Sequence, residues 1–509
     1  MTQSSSLALT LTPDDEHNRV LAKLTHPPQW LSPVPKGRYN LVVVGAGTAG
    51  LVAAAGAAGL GARVALIERH QTGGDCLNTG CVPSKAVIRA ARAAYDAANA
   101  APFGVSTPAA PVVDFAAVME RMRRLRARIA PNDSFERFSG LGVDMYQGEA
   151  KFVSGTRVEV NGVALDFSKA VIASGARAAV PPIPGLADAG FYTNETVFNL
   201  TSLAKRWLVL GAGPIGCELA QSFRRFGAEV MVMALDARLL PREDADASEV
   251  LRRRFAKEGI RTELGVKPVK VERVGEVRLV TFDRDGKADT VEVDALLVAT
   301  GRAPNVEGLG FEAAGVAFDK RGVTVDDALR TTNPRIYASG DVAGRWQFTH
   351  AADAMSRIVL QNALFWGRKK ASVLTIPWAT YTDPEIAHVG LSEAEARQRG
   401  LDAVTYTVPL SDVDRAILES DDEGFARLHA ERKSGRILGA TLVGRDAGDL
   451  IGEMSLAVTN KLTLGQLAAT IHPYPTRAEA WKRIGDLHSR TRLTPLVKRL
   501  FERLLAWQR

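Results

Sequence analysis

The sequence predicts an α/β protein built from two copies of a strand–turn–helix–strand unit and a third domain of mixed helices and strands. The first copy joins the β-branched run YNLVVV to the glycine-rich turn Gly45–Gly50, an alanine-rich helical stretch and a second strand. The second copy leads from the strand Trp207–Leu210 into the turn Gly211–Gly216. From about residue 375 the chain changes to short strand-like segments such as FARLHAE and RILGATLVG. The length of 509 residues is typical of about three domains.

Composition and charge narrow the class of protein. A chain with 46% hydrophobic and 24% charged residues is neither largely disordered nor collagen-like. No run reaches the roughly 18 apolar residues of a membrane-spanning helix. The net charge of +7 permits anionic ligands such as nucleotides, but it does not indicate nucleic-acid binding.

Cysteine usage and the N-terminus bear on the compartment. Three cysteines are too few for a secreted disulfide scaffold, and no CxxC pair indicates a structural metal site. The N-terminus lacks the basic and long apolar regions of a signal peptide, so we expect a cytoplasmic protein. Residues 1–36 are polar and interrupted by prolines, and we expect an extension that lies on the surface.

The first glycine-rich turn has the spacing GxGxxG. Gly45 permits a tight turn, Gly47 lets the backbone approach a pyrophosphate, and Gly50 allows close packing of helix on strand. The phosphates then lie at the N-terminus of the helix. Glu68 ends the second strand, where a carboxylate accepts a hydrogen bond from a ribose hydroxyl. The complete unit predicts nucleotide binding here.

The second glycine-rich turn lacks the acidic residue of the first unit. The position equivalent to Glu68 is Ala234, and two arginines, Arg238 and Arg242, come soon after. A missing carboxylate with nearby arginines suits a 2′-phosphate and favours NADPH over NADH. Two alternatives stay open: Asp236 could reach the ribose, and the arginines could be solvated surface residues.

Two cysteines lie five positions apart in the run GGDCLNTGCVPSK. A regular helix would hold Cys76 and Cys81 roughly 8–9 Å apart at their Cα atoms, against about 5.5 Å for a disulfide. We therefore expect a distorted turn between them, which the surrounding glycines allow. A cysteine at a helix start gains thiolate character, and Lys85 lies one helical turn beyond Cys81. In a reducing compartment this spacing indicates redox catalysis.

This run resembles the redox-active signature of the class I flavoprotein disulfide reductases, which include glutathione reductase, dihydrolipoamide dehydrogenase and mercuric reductase. The resemblance covers roughly residues 38–480. Ala299–Asn305 resembles the turn that closes the NAD(P) domain of this family, and Tyr337–Asp341 resembles the segment whose aspartate meets the flavin ribitol. Thr382–Gly390 resembles the start of its dimerisation domain.

The resemblance implies two Rossmann-like dinucleotide-binding domains and a C-terminal α+β dimerisation domain. The expected divisions are an N-terminal extension (1–36), an FAD-binding domain (37–195 and 326–372), an NAD(P)-binding domain (196–325), a dimerisation domain (373–482) and a basic tail (483–509).

The resemblance also implies which residues bind the two cofactors. For FAD these are Gly45, Gly47, Gly50, Glu68, Lys85, Ala150 and Asp341. For NADPH or NADH they are Gly211, Gly213, Gly216, Arg238, Arg242 and Gly301.

Roles for the thiols come from the same resemblance. Cys76 would be the interchange thiol that meets the substrate, and Cys81 would face the flavin. Lys85 would lie near the flavin and pair with Glu218. Cys217 has no obvious partner, and we expect it to pack in the core. No structural metal is expected, although the Cys76–Cys81 pair could hold a soft metal ion transiently.

The C-terminal segment departs from the pattern of the dithiol enzymes. Those enzymes carry a catalytic histidine five residues before a glutamate, and alignment on Glu479 places Tyr474 at the histidine position, as in mercuric reductases. His472 precedes it by two residues and could serve as the base only if the local backbone differs. An unperturbed tyrosine, with a pKa near 10, is a poor general base, and reduction of a soft metal ion needs none at sulfur. Within the family's usual homodimer, Tyr474 and Glu479 would reach the partner's thiols.

These residues predict a flavoenzyme similar to mercuric reductase that passes electrons from NAD(P)H through the cysteine pair to a soft metal ion or a related thiol-reactive acceptor. Mercuric reductases also carry a C-terminal cysteine pair, which this chain lacks, so the acceptor stays open. The alternative is a disulfide reductase similar to dihydrolipoamide dehydrogenase with His472 as base. A further alternative is a non-catalytic redox flavoprotein.

The tail combines an apolar stripe with basic residues. The stripe has helical spacing and comprises Leu493, Leu496, Val497, Leu500, Phe501, Leu504 and Leu505. The basic residues beside it are Lys498, Arg499 and Arg503. Such a helix packs against the protein's own dimer or makes a weak peripheral contact with an anionic membrane.

Overall fold

The computed structural model describes residues 11–106, 109 and 111–509, and it confirms the predicted α/β class. The helices are α1 (Glu16–Thr25), α2 (Thr48–Gly59), α3 (Gly74–Asn78), α4 (Cys81–Ala98), α5 (Phe115–Ile129), α6 (Phe135–Gly140), α7 (Leu186–Ala189), α8 (Pro214–Arg225), α9 (Ala245–Glu258), α10 (Phe311–Ala314), α11 (Thr349–Leu364), α12 (Glu393–Gln398), α13 (Asp414–Leu418), α14 (Ala447–Thr459), α15 (Leu464–Ala469), α16 (Glu479–Thr491) and α17 (Pro495–Trp507).

The strands are numbered in the same chain order. They are β1 (Tyr39–Val44), β2 (Val64–Glu68), β3 (Val143–Gln147), β4 (Ala150–Ser154), β5 (Arg157–Val160), β6 (Val163–Ile172), β7 (Ala176–Ala178), β8 (Arg206–Leu210), β9 (Glu229–Ala234), β10 (Arg261–Leu264), β11 (Lys267–Val274), β12 (Val277–Arg284), β13 (Lys287–Val293), β14 (Ala295–Val298), β15 (Arg302–Pro304), β16 (Phe318–Asp319), β17 (Gly322–Val323), β18 (Ile336–Ala338), β19 (Trp378–Thr380), β20 (Glu385–Gly390), β21 (Ala403–Pro409), β22 (Phe425–Glu431) and β23 (Ile437–Gly444).

The chain divides into two compact units. The first comprises the described residues within 11–237 and residues 258–374, and the second comprises residues 238–257 and 375–509. The first unit contains both glycine-rich turns and the cysteine motif, and the second contains the C-terminal sheet.

The first sheet carries the first glycine-rich turn. Its strands run in the order β3-β2-β1-β6-β5-β4, and β18 pairs with β6. The ladders β3-β2-β1-β6-β18 are parallel, whereas β4, β5 and the start of β6 form an antiparallel meander. Alternate side chains of β1 enter separate apolar clusters, Leu41 and Val43 in one and Val42 and Val44 in the other. Both faces of the sheet are therefore covered, as is typical of parallel sheets.

The second glycine-rich turn belongs to a separate parallel sheet in the order β10-β9-β8-β14. An antiparallel sheet, β11-β12-β13, shares an apolar cluster with it through Leu208 and Leu210 on β8 and Val280 and Phe282 on β12. The second unit has a five-stranded antiparallel sheet, β19-β20-β23-β22-β21, and α14 contributes to its core through Met454. It is the mixed domain that the sequence predicts.

The N-terminal extension differs from the expectation of a surface segment. Residues 16–25 form α1, in which Leu21 and Thr25 are fully buried and Asn18 is nearly so. The expectation was wrong for this part of the extension, because one face of α1 is covered by the rest of the first unit. Residues 1–10 lie outside the described residues.

The tail forms the helix that its apolar spacing predicts. In α16, Trp481 and Ile484 are buried, whereas no residue of α17 is buried in the single chain. Within the described residues, no helix is long and apolar enough to cross a membrane.

Candidate active site

The two cysteines lie on neighbouring helices, α3 and α4, which a tight turn separates. Cys76 is in the middle of α3, and Cys81 is the first residue of α4. A Cβ at Gly80 would lie 2.8 Å from the carbonyl oxygen of Asp75 and 3.8 Å from the Cα of Cys76. Glycine is therefore needed for the backbone to fold back this closely. The predicted distortion of the turn is confirmed.

The two thiols have opposite protonation tendencies. A hydrogen bond from Cys76 holds the negative charge on Cys81 and lowers the pKa of Cys81 well below its usual range, despite its desolvation. Thr349 Oγ1, 3.4 Å from the sulfur, and the nearby cation of Lys85 lower that pKa further. The pKa of Cys76 is raised by the same hydrogen bond, by burial and by the negative charge of Asp133. The pair therefore favours a thiolate at Cys81 and a thiol at Cys76.

Lys85 lies one turn beyond Cys81 on the same helix and forms the expected ion pair with Glu218. The distance from Lys85 Nζ to Glu218 Oε2 is 3.0 Å, and the carboxylate is buried whereas the ammonium is partly exposed. Cys217, which precedes Glu218 on α8, is fully buried and donates to the carbonyl oxygen of Ala212. The prediction that Cys217 packs in the core is confirmed.

The cysteine turn contacts the first glycine-rich turn directly. Gly74 has φ +54°, and a Cβ there would lie 2.7 Å from the Cα of Gly47. Any side chain larger than hydrogen at position 74 would push the two turns apart. The thiols are thereby placed next to the N-terminus of α2, where the sequence predicts a nucleotide.

The start of α2 fits the pyrophosphate of FAD. Its N-cap residue, Gly47, has no side chain to cap the first backbone N–H groups, which suits an anion. Glu68 is buried at the end of β2 and accepts hydrogen bonds from the backbone N–H groups of Ala46 and His70. Gly148 donates to the carbonyl oxygen of Glu68, which brings the buried start of β4, Ala150, to the same end of the sheet.

Asp341 lies shortly after β18, beside the start of α2. A Cβ at Gly340 would lie 3.1 Å from the Cβ of Ala49. Arg302 is mostly buried, and its guanidinium contacts the carboxylates of both Asp341 and Asp75. Burial raises the pKa of Asp341, and Arg302 partly offsets this effect. A buried carboxylate at this place fits a polar ligand such as the ribitol hydroxyls of FAD.

The second glycine-rich turn repeats the geometry of the first. Gly213 caps α8 without a side chain, and a Cβ there would have no atom of the described chain within 4 Å. Gly216 packs against the carbonyl oxygen of Gly211, as Gly50 packs against that of Gly45. This open helix start fits a second dinucleotide, NADPH or NADH.

The remaining residues expected at the second dinucleotide lie on loops. Gly301, at φ +133°, precedes β15 and is exposed. Arg238 and Arg242 are also exposed, and Arg238 donates to the carbonyl oxygen of Pro241. Ala234 ends β9 and is buried.

Tyr474 is held by charged residues of the second unit. Its hydroxyl donates to Asp414 Oδ2 at 2.8 Å, and the side chain is exposed. That hydrogen bond and the charge of Asp414 raise the pKa of Tyr474. Arg483 contacts both Asp414 and Glu479 at 3.1 Å. A tyrosine in this setting loses its proton less readily than an ordinary tyrosine.

His472 has a different carboxylate partner from the one the family pattern offers. Its Nε2 lies 2.9 Å from Glu453 Oε1 on α14, and its Nδ1 lies 3.1 Å from the carbonyl oxygen of Thr470. Glu479 Oε1 accepts from Arg483, whereas Glu479 Oε2 is buried without a partner among the described residues. The structure therefore gives a His472–Glu453 pair.

Two residues beside the thiols were missed by sequence reasoning. Thr349 begins α11 and contacts Cys81, and Asp133 lies close enough to Cys76 to raise its pKa. Neither belongs to a recognisable motif, and both are distant from the cysteines in the chain. Only the fold brings them to the thiols.

Comparison with known proteins gives the class. Residues 39–356 match the model of the pyridine nucleotide-disulphide oxidoreductase family, and residues 376–484 match the dimerisation domain of the same family. The chain therefore belongs to the pyridine nucleotide-disulphide oxidoreductases, and it is an FAD-binding, NAD(P)H-dependent oxidoreductase. The fold that the cysteine signature predicts is confirmed. The two predicted cofactors, FAD and NAD(P)H, are confirmed as those of the family.

Individual relatives lie on more than one branch. A mercuric reductase from Streptomyces lividans is 37% identical over 450 residues, covering 87% of this chain and 95% of the relative. A dihydrolipoyl dehydrogenase from Chlamydia muridarum is 33% identical over 453 residues, with the same coverage of 87% and 95%. The Cu(II) complex of the HOCl-induced flavoprotein disulfide reductase RclA from Escherichia coli superposes with a TM-score of 0.78 at 28% identity, covering 87% of this chain and 98% of that one.

Proposed function

We propose that this enzyme passes two electrons from NAD(P)H through the Cys76–Cys81 pair to a soft metal ion, as a mercuric reductase does. The observation that carries the proposal is Tyr474 at the position of the family's catalytic histidine, with its hydroxyl donating to Asp414. A tyrosine whose pKa is raised does not accept a proton from a thiol at neutral pH. The chemistry that suits the site is therefore one that requires no base at the sulfur.

Hg(II) bound by two thiolates meets this requirement. Soft metal ions prefer thiolate ligands, and the Cys81 thiolate supplies one at neutral pH. Hg(II) takes up two electrons and leaves as elemental mercury, and the nicotinamide is oxidised by two electrons. FAD bound at the first glycine-rich turn would supply the relay of these two electrons from the nicotinamide to the metal ion that the two thiolates hold. One small thiolate released from mercury takes the proton of the Cys76 thiol and the other takes a proton from solvent, and the proton left by the oxidised nicotinamide restores the Cys76 thiol.

The test is anaerobic NADPH consumption by the purified holoenzyme. Hg(II) buffered in excess small thiol is compared with lipoamide as acceptor. We expect mercury-dependent turnover that Cys76→Ser abolishes and that Cys217→Ala, a change of the buried third cysteine, retains. Lipoamide-dependent turnover without mercury-dependent turnover would overturn the proposal.

A second candidate is reduction of a disulfide with His472 as the base. The 2.9 Å pair between His472 and Glu453 favours it, because a carboxylate that orients an imidazole is the usual arrangement of a general base. In this case His472→Ala abolishes lipoamide turnover and Tyr474→Phe does not. If Tyr474→Phe abolishes lipoamide turnover and His472→Ala does not, His472 is excluded as the base.

NADPH is the proposed nicotinamide donor. In the sequence Arg238 and Arg242 come after the strand whose last residue, Ala234, replaces the usual acid. We expect Arg238→Ala and Arg242→Ala to lower kcat/KM for NADPH and to leave that for NADH nearly unchanged. An equal loss of kcat/KM with NADPH and NADH would show that the two arginines do not bind the 2′-phosphate.

The dimerisation domain supports a homodimer, and we propose that the active site is shared between its subunits. In that arrangement the second unit of one subunit, with Tyr474 and Glu479, serves the thiols of the partner. A cytoplasmic location is proposed with it, since a reducing compartment keeps the thiols available.

A further inference from the structure

The helix α1 lies outside the part of the chain that matches the family model, which begins at residue 39. It nevertheless packs against the segment that carries the redox thiols. Three sets of contacts join them: an apolar cluster, a buried guanidinium and a pair of hydrogen bonds at the end of the helix.

The apolar contact centres on Leu21. Its side chain is fully buried in a cluster with Leu77 and Ala130, and Leu24 and Val82 pack at the edge. Leu77 is the residue after Cys76 in the sequence, and Val82 is the residue after Cys81. One face of α1 thus covers the residues next to both thiols.

The buried guanidinium is Arg126 on α5. Its Nη1 donates to the backbone carbonyl oxygen of Asn78 at 2.7 Å, and its Nη2 donates to Asn18 Oδ1 at 2.8 Å. Asn78 is the last residue of α3, where the turn that leads to Cys81 begins. Burial lowers the pKa of Arg126 to about 10. The two carbonyl oxygens are the acceptors that offset the burial of the guanidinium, and they fix its orientation. Asn18 on α1 supplies one of them.

The third connection runs through the end of α1. The backbone N–H of Thr72 donates to the carbonyl oxygen of Thr25 at 2.9 Å, and Gln71 Nε2 donates to Thr25 Oγ1 at 3.1 Å. Asn78 Nδ2 in turn donates to the carbonyl oxygen of Thr72 at 3.0 Å. The cysteine segment is therefore tied both to α1 and to a residue that α1 holds.

We propose that α1 is a positioning element for the redox thiols, and that Asn18 acts through Arg126 to hold the turn at Asn78. The inference rests on the thiol pair being the electron-carrying group of the proposed function, whatever its acceptor. α1 does not touch the sulfur atoms. It fixes the approach of α3 to α4, on which the hydrogen bond between the thiols depends.

The test measures the thiols directly. The reduced holoenzyme is alkylated anaerobically with iodoacetamide over a range of pH, and mass spectrometry reports the rate at Cys76 and Cys81. The variants are Asn18→Ala, which removes the acceptor, and Asn18→Asp, which keeps an oxygen for Arg126. Arg19→Ala is the matched control, because Arg19 lies on the same helix, is exposed and pairs with Asp14. Thermal unfolding and FAD content are recorded for each.

We expect Asn18→Ala to raise the midpoint of alkylation by about one pH unit, since the weakened hydrogen bond no longer holds the thiolate. Asn18→Asp and Arg19→Ala keep the wild-type midpoint. A wild-type midpoint in folded Asn18→Ala overturns the proposal, and so does an equal shift in Arg19→Ala.

A milder variant covers the case in which Asn18→Ala does not fold. Leu24→Ala trims the edge of the apolar cluster, and we expect a smaller shift of the midpoint in the same direction. No shift in Leu24→Ala would then overturn the proposal. Because alkylation uses no electron acceptor, these results are independent of whether mercury is reduced.

Discussion

The acidity of Cys81 arises from neighbours on three helices, α3, α4 and α11. Cys76 donates a hydrogen bond to it, Thr349 lies 3.4 Å away, and the cation of Lys85 is one helical turn along α4. Its position as the first residue of α4 adds the favourable field of the helix N-terminus. Because these neighbours lower the pKa of Cys81, its thiolate persists to a lower pH than that of an ordinary cysteine and is lost as the pH falls further.

The contribution of Thr349 is tested by Thr349→Val, which removes the hydroxyl and keeps the shape. We expect the pKa of Cys81 to rise, because one group that stabilises the thiolate is lost. The midpoint of anaerobic alkylation against pH measures the change. Ser84→Ala is the control, since Ser84 Oγ donates to the carbonyl oxygen of Cys81 and not to the sulfur. An equal shift in both variants would contradict the assignment.

The ion pair between Lys85 and Glu218 is tested by Lys85→Met. We expect a higher pKa for Cys81 and a loss of about 1–2 kcal/mol in the free energy of unfolding, because Glu218 is buried while Lys85 is partly exposed. Urea denaturation measures the second effect. The double variant Lys85→Met/Glu218→Gln should recover part of the stability. No recovery would show that the loss arises from packing of the lysine chain.

At this scale the sequence predicts what lies within a motif. Cys76, Cys81 and Lys85 belong to one short motif: helix geometry relates Lys85 to Cys81, and the glycines allow the distorted turn between the two cysteines. The role of Glu218 as the partner of Lys85 could be predicted only from the family resemblance. Thr349 and Asp133 could not be predicted, because no local pattern distinguishes a hydroxyl or carboxyl that long-range folding brings to a sulfur.

Among the secondary-structure elements, the turn between α3 and α4 is tightly constrained. Gly80→Ala would place a methyl group 2.8 Å from the carbonyl oxygen of Asp75. We expect the turn to open, the alkylation midpoint to rise and the free energy of unfolding to fall by about 1–3 kcal/mol. Gly59→Ala, whose Cβ meets nothing within 4 Å at the end of α2, is the control and should be neutral in both measurements. A neutral Gly80→Ala would contradict the constraint.

The helix α17 contributes no buried residue to the single chain. We therefore expect deletion of residues 494–509 to leave the thermal midpoint of a dilute sample unchanged, as differential scanning fluorimetry would show. Its exposed leucines are accompanied by Lys498, Arg499 and Arg503, so the full chain should sediment with anionic vesicles more than the deleted one. If the full chain and the deleted chain sediment equally with the vesicles, the apolar stripe of α17 does not bind membrane, and packing within the protein's own dimer is the remaining explanation for it.

Element prediction succeeded where a pattern is complete and failed where it is short. Both glycine-rich units and the amphipathic tail have strong local signals, and the structure has all three. The helix α1 was missed as a packed element because its buried face consists of Leu21 with two polar residues, Asn18 and Thr25. The partners of these groups come from α5 and the cysteine segment, which no local pattern in residues 1–36 reveals.

For the whole molecule, the presence of a dimerisation domain means that activity can depend on whether the chain is a monomer or a dimer. If the active site is shared between subunits, NADPH oxidation with the physiological class of acceptor requires the dimer. We expect specific activity to fall on dilution in parallel with the dimer fraction measured by analytical ultracentrifugation. Full activity of the monomer would show that one chain holds a complete site.

The contact between Gly74 and Gly47 means that the cysteine motif and the first glycine-rich turn do not vary independently in evolution. Each glycine lies in its own fingerprint, yet the two backbones touch with no room for a side chain at Gly74. Substitution at Gly74 in the redox motif is therefore restrained by the nucleotide turn, whereas a Cβ at Gly47 would lie 3.7 Å from the Cα of Gly74, which is an ordinary contact. A protein whose nucleotide turn moved away from the cysteine motif would lose this steric restraint on position 74, and only the φ of +54° there would still favour glycine.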